Sequence, residues 1–371
     1  MFNKKTLYLL IFTLFMYMFF KTNNTFVPIE NIDIAPGVAV DVEERSDGNI
    51  NYVLPISVYQ FRENEGILLK IQLGEGKTIG ESRQDRQMLQ NKKFLLGLEQ
   101  VFIVGERIAK MGINPWVEIL FANPNLNDTA YMTVTNEDVT KLLGMDIEGG
   151  ANPSEYISEM LKSSKEYNFF SDNYKVMDMF IRVGSEGRNL VLPYTKIVDG
   201  NPKITGMAIF KGDKMVDKIS IEDTRAMNMM RENDVRGLMT IYKNEKETID
   251  FYGTSKRKVK CEKVGDKYKF YINIDYTGDI ISNTINREIR DNPKAIKEFE
   301  DEMAKQAEKE CYDFIDKMKN ELKTDCLELG MYAVAKTGRH TGIDWNEVVV
   351  NSEIEVKVKV KVDRQGRGIF T

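Results

Sequence analysis

One stripe constrains this chain more than any other feature. Ile296, Phe299, Met303, Ala307, Cys311, Phe314, Met318 and Leu322 recur every three or four residues between Pro293 and Leu322, the spacing of a single apolar helix face. Asn292 ahead of Pro293 supplies a cap and a proline at the first helical position. At 1.5 Å per residue such a helix would run about 45 Å, enough to cross a sheet and overhang it. Part of that sheet is legible in Ile354–Val362, where Ile354, Val356, Val358, Val360 and Val362 share one face and Glu355, Lys357, Lys359 and Lys361 the other. One wet face favours antiparallel pairing, and lysines along it discourage edge-to-edge association.

A second stretch, Lys92–Asn125, reads as a packing unit. Val101–Val104 is a continuous apolar run of the kind a strand buried on both faces shows. Gly105 ends it, Glu106–Met111 forms a helical turn or two, and Gly112 stops that. Asn114-Pro115 then opens a further helix, with Asn114 as the expected cap and Trp116, Ile119 and Leu120 at helical spacing. No active site is expected beside it.

The remaining chain alternates between strand and helix periods. Asn31–Glu44 and Ile50–Phe61 flank Asp47-Gly48, a hairpin signal. Ile67–Leu73 is a third strand. Gly74–Thr78 (GEGKT) resembles a phosphate loop only superficially, since Ile71 stands where the earlier glycine is needed; it reads as a turn entering a helix at Thr78–Leu89. Ala130–Val134 is a strand, Asn136–Leu143 a short helix capped by Asn136, and Ser154–Lys165 and Val176–Ile181 are helical. Over Asn189–Ser220 the period changes to two, with Gly212 at the tip of a tight hairpin. Asp223–Arg231 is helical, and Val259–Glu262 and Lys267–Tyr276 alternate as strands. The composition shift near residue 200 is the expected domain boundary.

Bulk properties exclude several functions. The length of 371 residues suggests two or three domains. A net charge of −5 is too small to argue for a polyanion partner, and Lys256–Lys260 (KRKVK) reads as a solvated strand edge, so no nucleic acid is expected. Cys261, Cys311 and Cys326 lack metal spacing and read as single buried thiols, although a Cys311–Cys326 bridge is not excluded by position. The one histidine, His340, lies in a polar loop. No catalytic, cofactor-binding or metal-ligating residue emerges. Near the N-terminus, Lys4-Lys5 precede the apolar run Leu7–Phe20, about 14 residues, nearer a signal-peptide core than a full membrane span. Phe19-Phe20-Lys21 is bulky where a signal peptidase needs small side chains, so an uncleaved anchor over residues 1–24 is expected, with the rest exported.

Several segments together resemble one family, the Ger(x)C lipoproteins, which are C subunits of bacterial spore germinant receptors. They are Ile29–Asp41, Gly76–Ser82 (GKTIGES), Gly97–Ile113, Asn123–Val134, Gly206–Ile219, Asp325–Gly330 (DCLELG) and Trp345-Asn346-Glu347. The resemblance implies an α+β protein of three domains: mixed sheets with packed helices, and the long C-terminal amphipathic helix against an antiparallel sheet. The division would be 1–24 anchor, 25–200 N-terminal α+β region and 201–371 C-terminal α+β domain. It implies a non-enzymatic subunit at the outer face of the spore inner membrane, partnered by the receptor's A and B membrane subunits in nutrient-triggered germination. The family usually carries a lipid-accepting cysteine just before the segment matching Phe26–Asp33; here Phe20–Phe26 has none, and the apolar N-terminus takes over as anchor.

A rival reading is an exported solute-binding protein, with Tyr252, Tyr268, Tyr271 and Tyr276 lining a cleft. Against it, tyrosines are ordinary strand residues.

Overall fold

The structure, a computed structural model, describes residues 3–20, 27–44, 48–62, 66–265, 267–285 and 292–364. Helix α1 (Lys4–Phe20) stands with its described side chains exposed. Strand β1 (Ile32–Glu44) is long enough to serve two sets of neighbours. Its second half turns through Gly48, at φ 78°, into antiparallel β2 (Ile50–Val53), with Glu44 opposite Ile50. The expected hairpin therefore forms, although Asp47 lies outside the described residues. Leu54-Pro55 interrupts the alternating run, since proline has no N–H to give a ladder. Then β3 (Ile56–Arg62) pairs with the first half of β1 and with β4 (Gly66–Gln72). After β5 (Glu75–Gly76) comes α2 (Ile79–Met88), capped by the Thr78 hydroxyl accepting the Glu81 N–H. GEGKT is a turn into a helix.

The middle of this sheet is parallel. Strand β6 (Lys93–Leu95) and then β7 (Val101–Gly105) lie beside β1, and every residue of β7 is buried. Phe102 and Val104 pack with α3 (Glu106–Met111) and α4 (Asn114–Phe121) on one side. Val101 and Ile103 pack on the other side with helices that follow β8 (Tyr131–Thr135), namely α5 (Val139–Gly144) and α6 (Pro153–Ser163). Helix α7 (Val176–Val183) returns to the α3 side, and β9 (Val191–Val198) continues the parallel run from β8.

Two helix caps differ from expectation. Asn114 does not cap α4; Ile113 holds the cap position, and the first N–H groups go to Asp213, from Ile113 to its carbonyl at 3.0 Å and from Asn114 to Oδ2 at 3.4 Å. A distant loop thus supplies the acceptor a local side chain would have given. For α5 the cap is Asp138, whose Oδ1 accepts the Thr140 and Lys141 N–H groups. Asn136 falls short because β8 runs on through Thr135, whose hydroxyl takes the Glu137 N–H.

Residue 200 sits in the turn between β9 and β10 (Asn201–Lys211), and the sheet continues through β11 (Lys214–Ser220). Gly212, at φ 62°, makes the expected hairpin tip between them. Ser220 caps α8 (Ile221–Arg231).

A second sheet of four strands among the described residues follows: β12 (Val235–Asn244), β13 (Glu247–Val264) and β14 (Lys267–Asn283), all antiparallel, and a last edge strand. Between β14 and that edge come α9 (Pro293–Lys317), extended by a π turn over Met318–Leu322, then α10 (Gly330–Thr337) and α11 (Trp345–Val350). Asn292 caps α9 as expected, and Phe299, Met303, Ala307, Cys311 and Phe314 bury its stripe over the sheet.

The edge strand, β15 (Glu353–Arg364), pairs with β14 in parallel, not antiparallel as its wet face suggested. The reason lies in the crossover. Helix α9 carries the chain back along the sheet, roughly 38 Å at 1.5 Å per residue, so β15 starts at the same end as β14 and must run its way. The same helix covers the free edge. Val356 N–H donates to Tyr312 Oη at 3.0 Å, Val358 N–H to Glu308 Oε1 at 2.9 Å, and Val362 N–H to Glu300 Oε1 at 3.0 Å. Helix positions four apart rise about 6 Å and strand positions two apart about 6.6 Å, so the two rows run nearly in step. Side chains of α9 therefore close a row of donors that would otherwise template another strand.

Candidate functional site

Two of the segments that carry the sequence resemblance, Asp325–Gly330 and Trp345-Asn346-Glu347, meet residues from outside those segments at a buried polar junction. Arg231 ends α8 with no exposed surface. Its Nη1 donates to the Cys326 carbonyl at 2.7 Å, its Nη2 to the Asn189 carbonyl at 3.0 Å and to Glu328 Oε1 at 2.9 Å, and its Nε to Glu232 Oε1 at 3.2 Å. Arg182, on α7, donates from Nε to the same Glu328 oxygen at 2.9 Å and from Nη1 to the Asn173 carbonyl at 3.2 Å. Asn173 Nδ2 closes the ring on Glu232 Oε2 at 3.1 Å. Two guanidinium groups thus hold one carboxylate that joins α7, α8 and the loop after α9.

Asn189 ties the remaining pieces together. Its Nδ2 donates to Asn346 Oδ1 at 2.6 Å and to the Asp325 carbonyl at 3.1 Å, and its Oδ1 accepts the Gly212 N–H at 3.3 Å. Asp325 folds the DCLELG loop around itself: Oδ1 accepts the Leu327 N–H and Oδ2 the Gly330 N–H. Gly330 lies against Gly187, and a Cβ on Gly187 would sit 2.5 Å from the Gly330 carbonyl carbon, so only glycine allows this approach. Burial pushes the Asp325 carboxyl up to about 6, against the N–H groups that favour its charge. Burial also works on Glu328, but Arg231 and Arg182 outweigh it and hold that carboxyl below its ordinary value. The arrangement is a clamp: its cations and acids answer one another, and Cys326, the thiol nearest it, is buried with its Sγ on the Thr324 carbonyl and its pKa raised by burial.

A second charged cluster sits where ligands commonly bind, at the carboxyl ends of parallel strands. A surface groove of about 410 Å³ is lined there by Asp41, Glu43, Glu106, Arg107, Lys110 and Asp138, among others. Its central charges are paired. Arg107 reaches Asp41 Oδ2 through Nε at 3.0 Å and Nη2 at 2.7 Å. Glu106 receives Lys110, Lys218 and the Tyr194 hydroxyl.

The other sequence candidates do not assemble. Tyr268 and Tyr276 are buried in the second core, Tyr276 donating its hydroxyl to the Gly237 and Phe251 carbonyls. Tyr271 lies on the opposite, wet face beside Lys260 and Lys269, and Tyr252 donates to the Glu166 carbonyl at 3.0 Å. The tyrosine cleft is not formed. His340 is exposed in a loop, its backbone N–H on the Glu186 carboxylate. The three cysteines are free and buried, so no Cys311–Cys326 bridge exists. Among the described residues no group of three His, Cys, Asp or Glu is placed to hold a metal ion. Arg231 and Arg182 gave no sequence signal, since isolated charges in helices read as solvated, and Glu328 entered only as part of the DCLELG segment.

Comparison with known proteins places the chain in a family. The family description "Spore germination protein N-terminal domain" matches residues 26–197, and "Spore germination B3/ GerAC like, C-terminal" matches 205–366. Spore germination protein GerQC of Bacillus cereus is 25% identical over 346 residues, 91% of this chain and 93% of GerQC. YfkR of Bacillus subtilis (strain 168) is 28% identical over 160 residues, 42% of this chain and 41% of YfkR. The crystal structure of the GerBC protein superposes with a TM-score of 0.56 at 15% identity, covering 88% of this chain and 97% of that one, a likeness of fold. With both halves matched and the α+β fold shared, the chain belongs to the Ger(x)C family of spore germinant receptor C subunits.

Proposed function

We propose that this chain is a non-enzymatic subunit of a germinant receptor complex. It is exported, held at the outer face of the spore inner membrane by its N-terminal segment, and works with the A and B membrane subunits in nutrient-triggered germination. The observation that carries the reading is the clamp: the polar groups that are costliest to bury are spent on joining segments. A scaffold presenting surfaces to partners needs that rigidity, and tethering beside the bilayer raises its effective concentration for them.

Helix α1 supports the tether. Leu7, Leu9, Leu10, Ile11, Phe12, Leu14 and Phe15 each expose half or more of their surface, which suits lipid better than water. No described helix is long and apolar enough to cross a membrane. At 1.5 Å per residue α1 reaches about 25 Å against a hydrocarbon core of about 30 Å, a mismatch that local thinning or interfacial flanks absorb.

The test is affinity capture of the full-length chain from detergent-solubilised spore membranes, with the N-terminus of the captured protein determined by mass spectrometry. Recovery of A and B subunits together with an intact residue 4–20 segment is expected. A soluble protein whose N-terminus lies near Thr22, recovered without membrane subunits, overturns the proposal.

A further inference from the structure

The packing unit Lys92–Asn125 has a cavity beside it. It holds about 180 Å³ between α2, α4 and the sheet, and its walls include Val38, Phe102, Trp116, Ile119 and Leu120. A dry cavity of about 150 Å³ accommodates benzene, so this one has room for a compact apolar body of that size.

Its α2 wall is charged. Arg83 and Arg86, one helical turn apart, both line the cavity. Arg86 is only 6% exposed, its guanidinium carbon lies 5.6 Å from the centre of the Phe94 ring, and its Nε has no hydrogen-bond partner. Neither guanidinium has a carboxylate within salt-bridge distance among the described residues. Burial and the neighbouring Arg83 charge lower the Arg86 pKa to about 10, which still leaves it fully charged at neutral pH. Glu99 also lines the cavity; its Oε2 accepts the Gly97 and Asn127 N–H groups, at 3.0 and 3.2 Å, burial raises its pKa, and neither arginine forms a salt bridge with it. A buried cation without a counter-ion is among the costliest features a fold can keep. Elsewhere in this molecule, Arg231 and Arg182 are buried only with acids in hand.

We infer that this cavity binds a small organic monocarboxylate, its carboxylate held by Arg86 and Arg83 and its compact apolar body seated against Trp116, Phe102 and Leu120. Guanidinium groups match a carboxylate in a planar, two-point geometry. The apolar depth selects against inorganic phosphate, which would leave the cavity unfilled. The site is independent of the receptor assignment, and it lies in the N-terminal half rather than near the tyrosines.

The experiment is calorimetric titration of the full-length chain in detergent with benzoate, benzamide, acetate and inorganic phosphate. Benzoate should bind at least tenfold more tightly than its neutral isostere benzamide and than acetate or phosphate. The Arg86→Met variant should lose benzoate binding at least tenfold while melting no lower than the unsubstituted protein, because an unpaired buried charge has been removed. Arg83→Gln, at a half-exposed position, should weaken benzoate several-fold and supplies the test should Arg86→Met fail to fold. Equal binding of benzoate and benzamide, benzoate affinity unaffected by Arg83→Gln, preference for phosphate, or no binding by benzoate all overturn the inference.

Discussion

Arg231 and Glu328, 97 positions apart in the chain, meet at 2.9 Å with side-chain exposures of 0% and 8%. Removing one member of such a pair costs more than the pair contributes, because the other charge stays buried. Arg231→Met also orphans the Cys326 and Asn189 carbonyls, so a loss of about 3–5 kcal/mol is expected. Glu328→Gln, which leaves two guanidinium groups facing a neutral amide, should fall in the same range. Urea unfolding of both variants and of the double variant measures this, and strong non-additivity is the expected result for residues in one network.

Stability should depend on pH through two carboxylates with opposite signs. Burial disfavours the Glu106 charge, but Lys110, Lys218 and Tyr194 together hold its pKa at about 2. The folded value is depressed, so its contribution is complete above the unfolded value of 4.5 and is lost as pH falls toward 2. After allowing for screening of the half-exposed lysines, it amounts to about 2 kcal/mol. Asp325 is raised from 3.8 to about 6 by burial. Its folded form holds the proton more tightly, so that contribution is complete below about pH 4 and declines as pH rises to 6. Urea midpoints between pH 2.5 and 7 should therefore show Glu106→Gln flattening the acid limb and Asp325→Asn flattening the pH 4–6 segment.

The edge seal on β15 gives a different kind of expectation. Glu308→Leu keeps a helix-forming residue on α9 but withdraws the acceptor from the Val358 N–H. An unmet, partly buried N–H costs about 1–3 kcal/mol, and the freed edge invites pairing with another chain. The variant should unfold at lower urea and show concentration-dependent association by light scattering. Glu308→Gln, which retains an acceptor oxygen, should restore most of the loss.

Local order was legible from local chemistry. The Gly48 and Gly212 turns, the Asn292 cap and the α9 stripe all depend on residues within one turn of each other. Asn114 misled because its helix end is satisfied by Asp213, which no nearby residue announces. The direction of β15 was invisible for another reason: alternation records which face is wet and says nothing of chain direction, which the crossover through α9 decides. The junction and the cavity were beyond reach because their meaning is relational. Arg231 is a clamp only because Glu328 and the Asn189 carbonyl reach it, and Arg86 is notable only because no acid among the described residues does. Lys92–Asn125 was correctly legible as a packing unit, yet α2, outside it, contributes the charged wall of the cavity beside it.

Helix α1 provides the last expectation. If its exposed apolar surface is what holds the protein to lipid, one charge at its centre should matter more than any change in the soluble part. A lysine near the middle of a membrane helix costs about 3 kcal/mol, roughly a hundredfold in partitioning, whereas an apolar exchange there costs little. Leu10→Lys and Phe12→Lys should therefore move the protein from the membrane pellet to the supernatant on ultracentrifugation, and Leu10→Val should not. Because no described side chain of α1 from Leu7 to Met18 is buried in the protein, the urea midpoint of the remaining fold should be unchanged in all three. A midpoint shift accompanying release would mean that the helix packs on the protein and that lipid is not its partner.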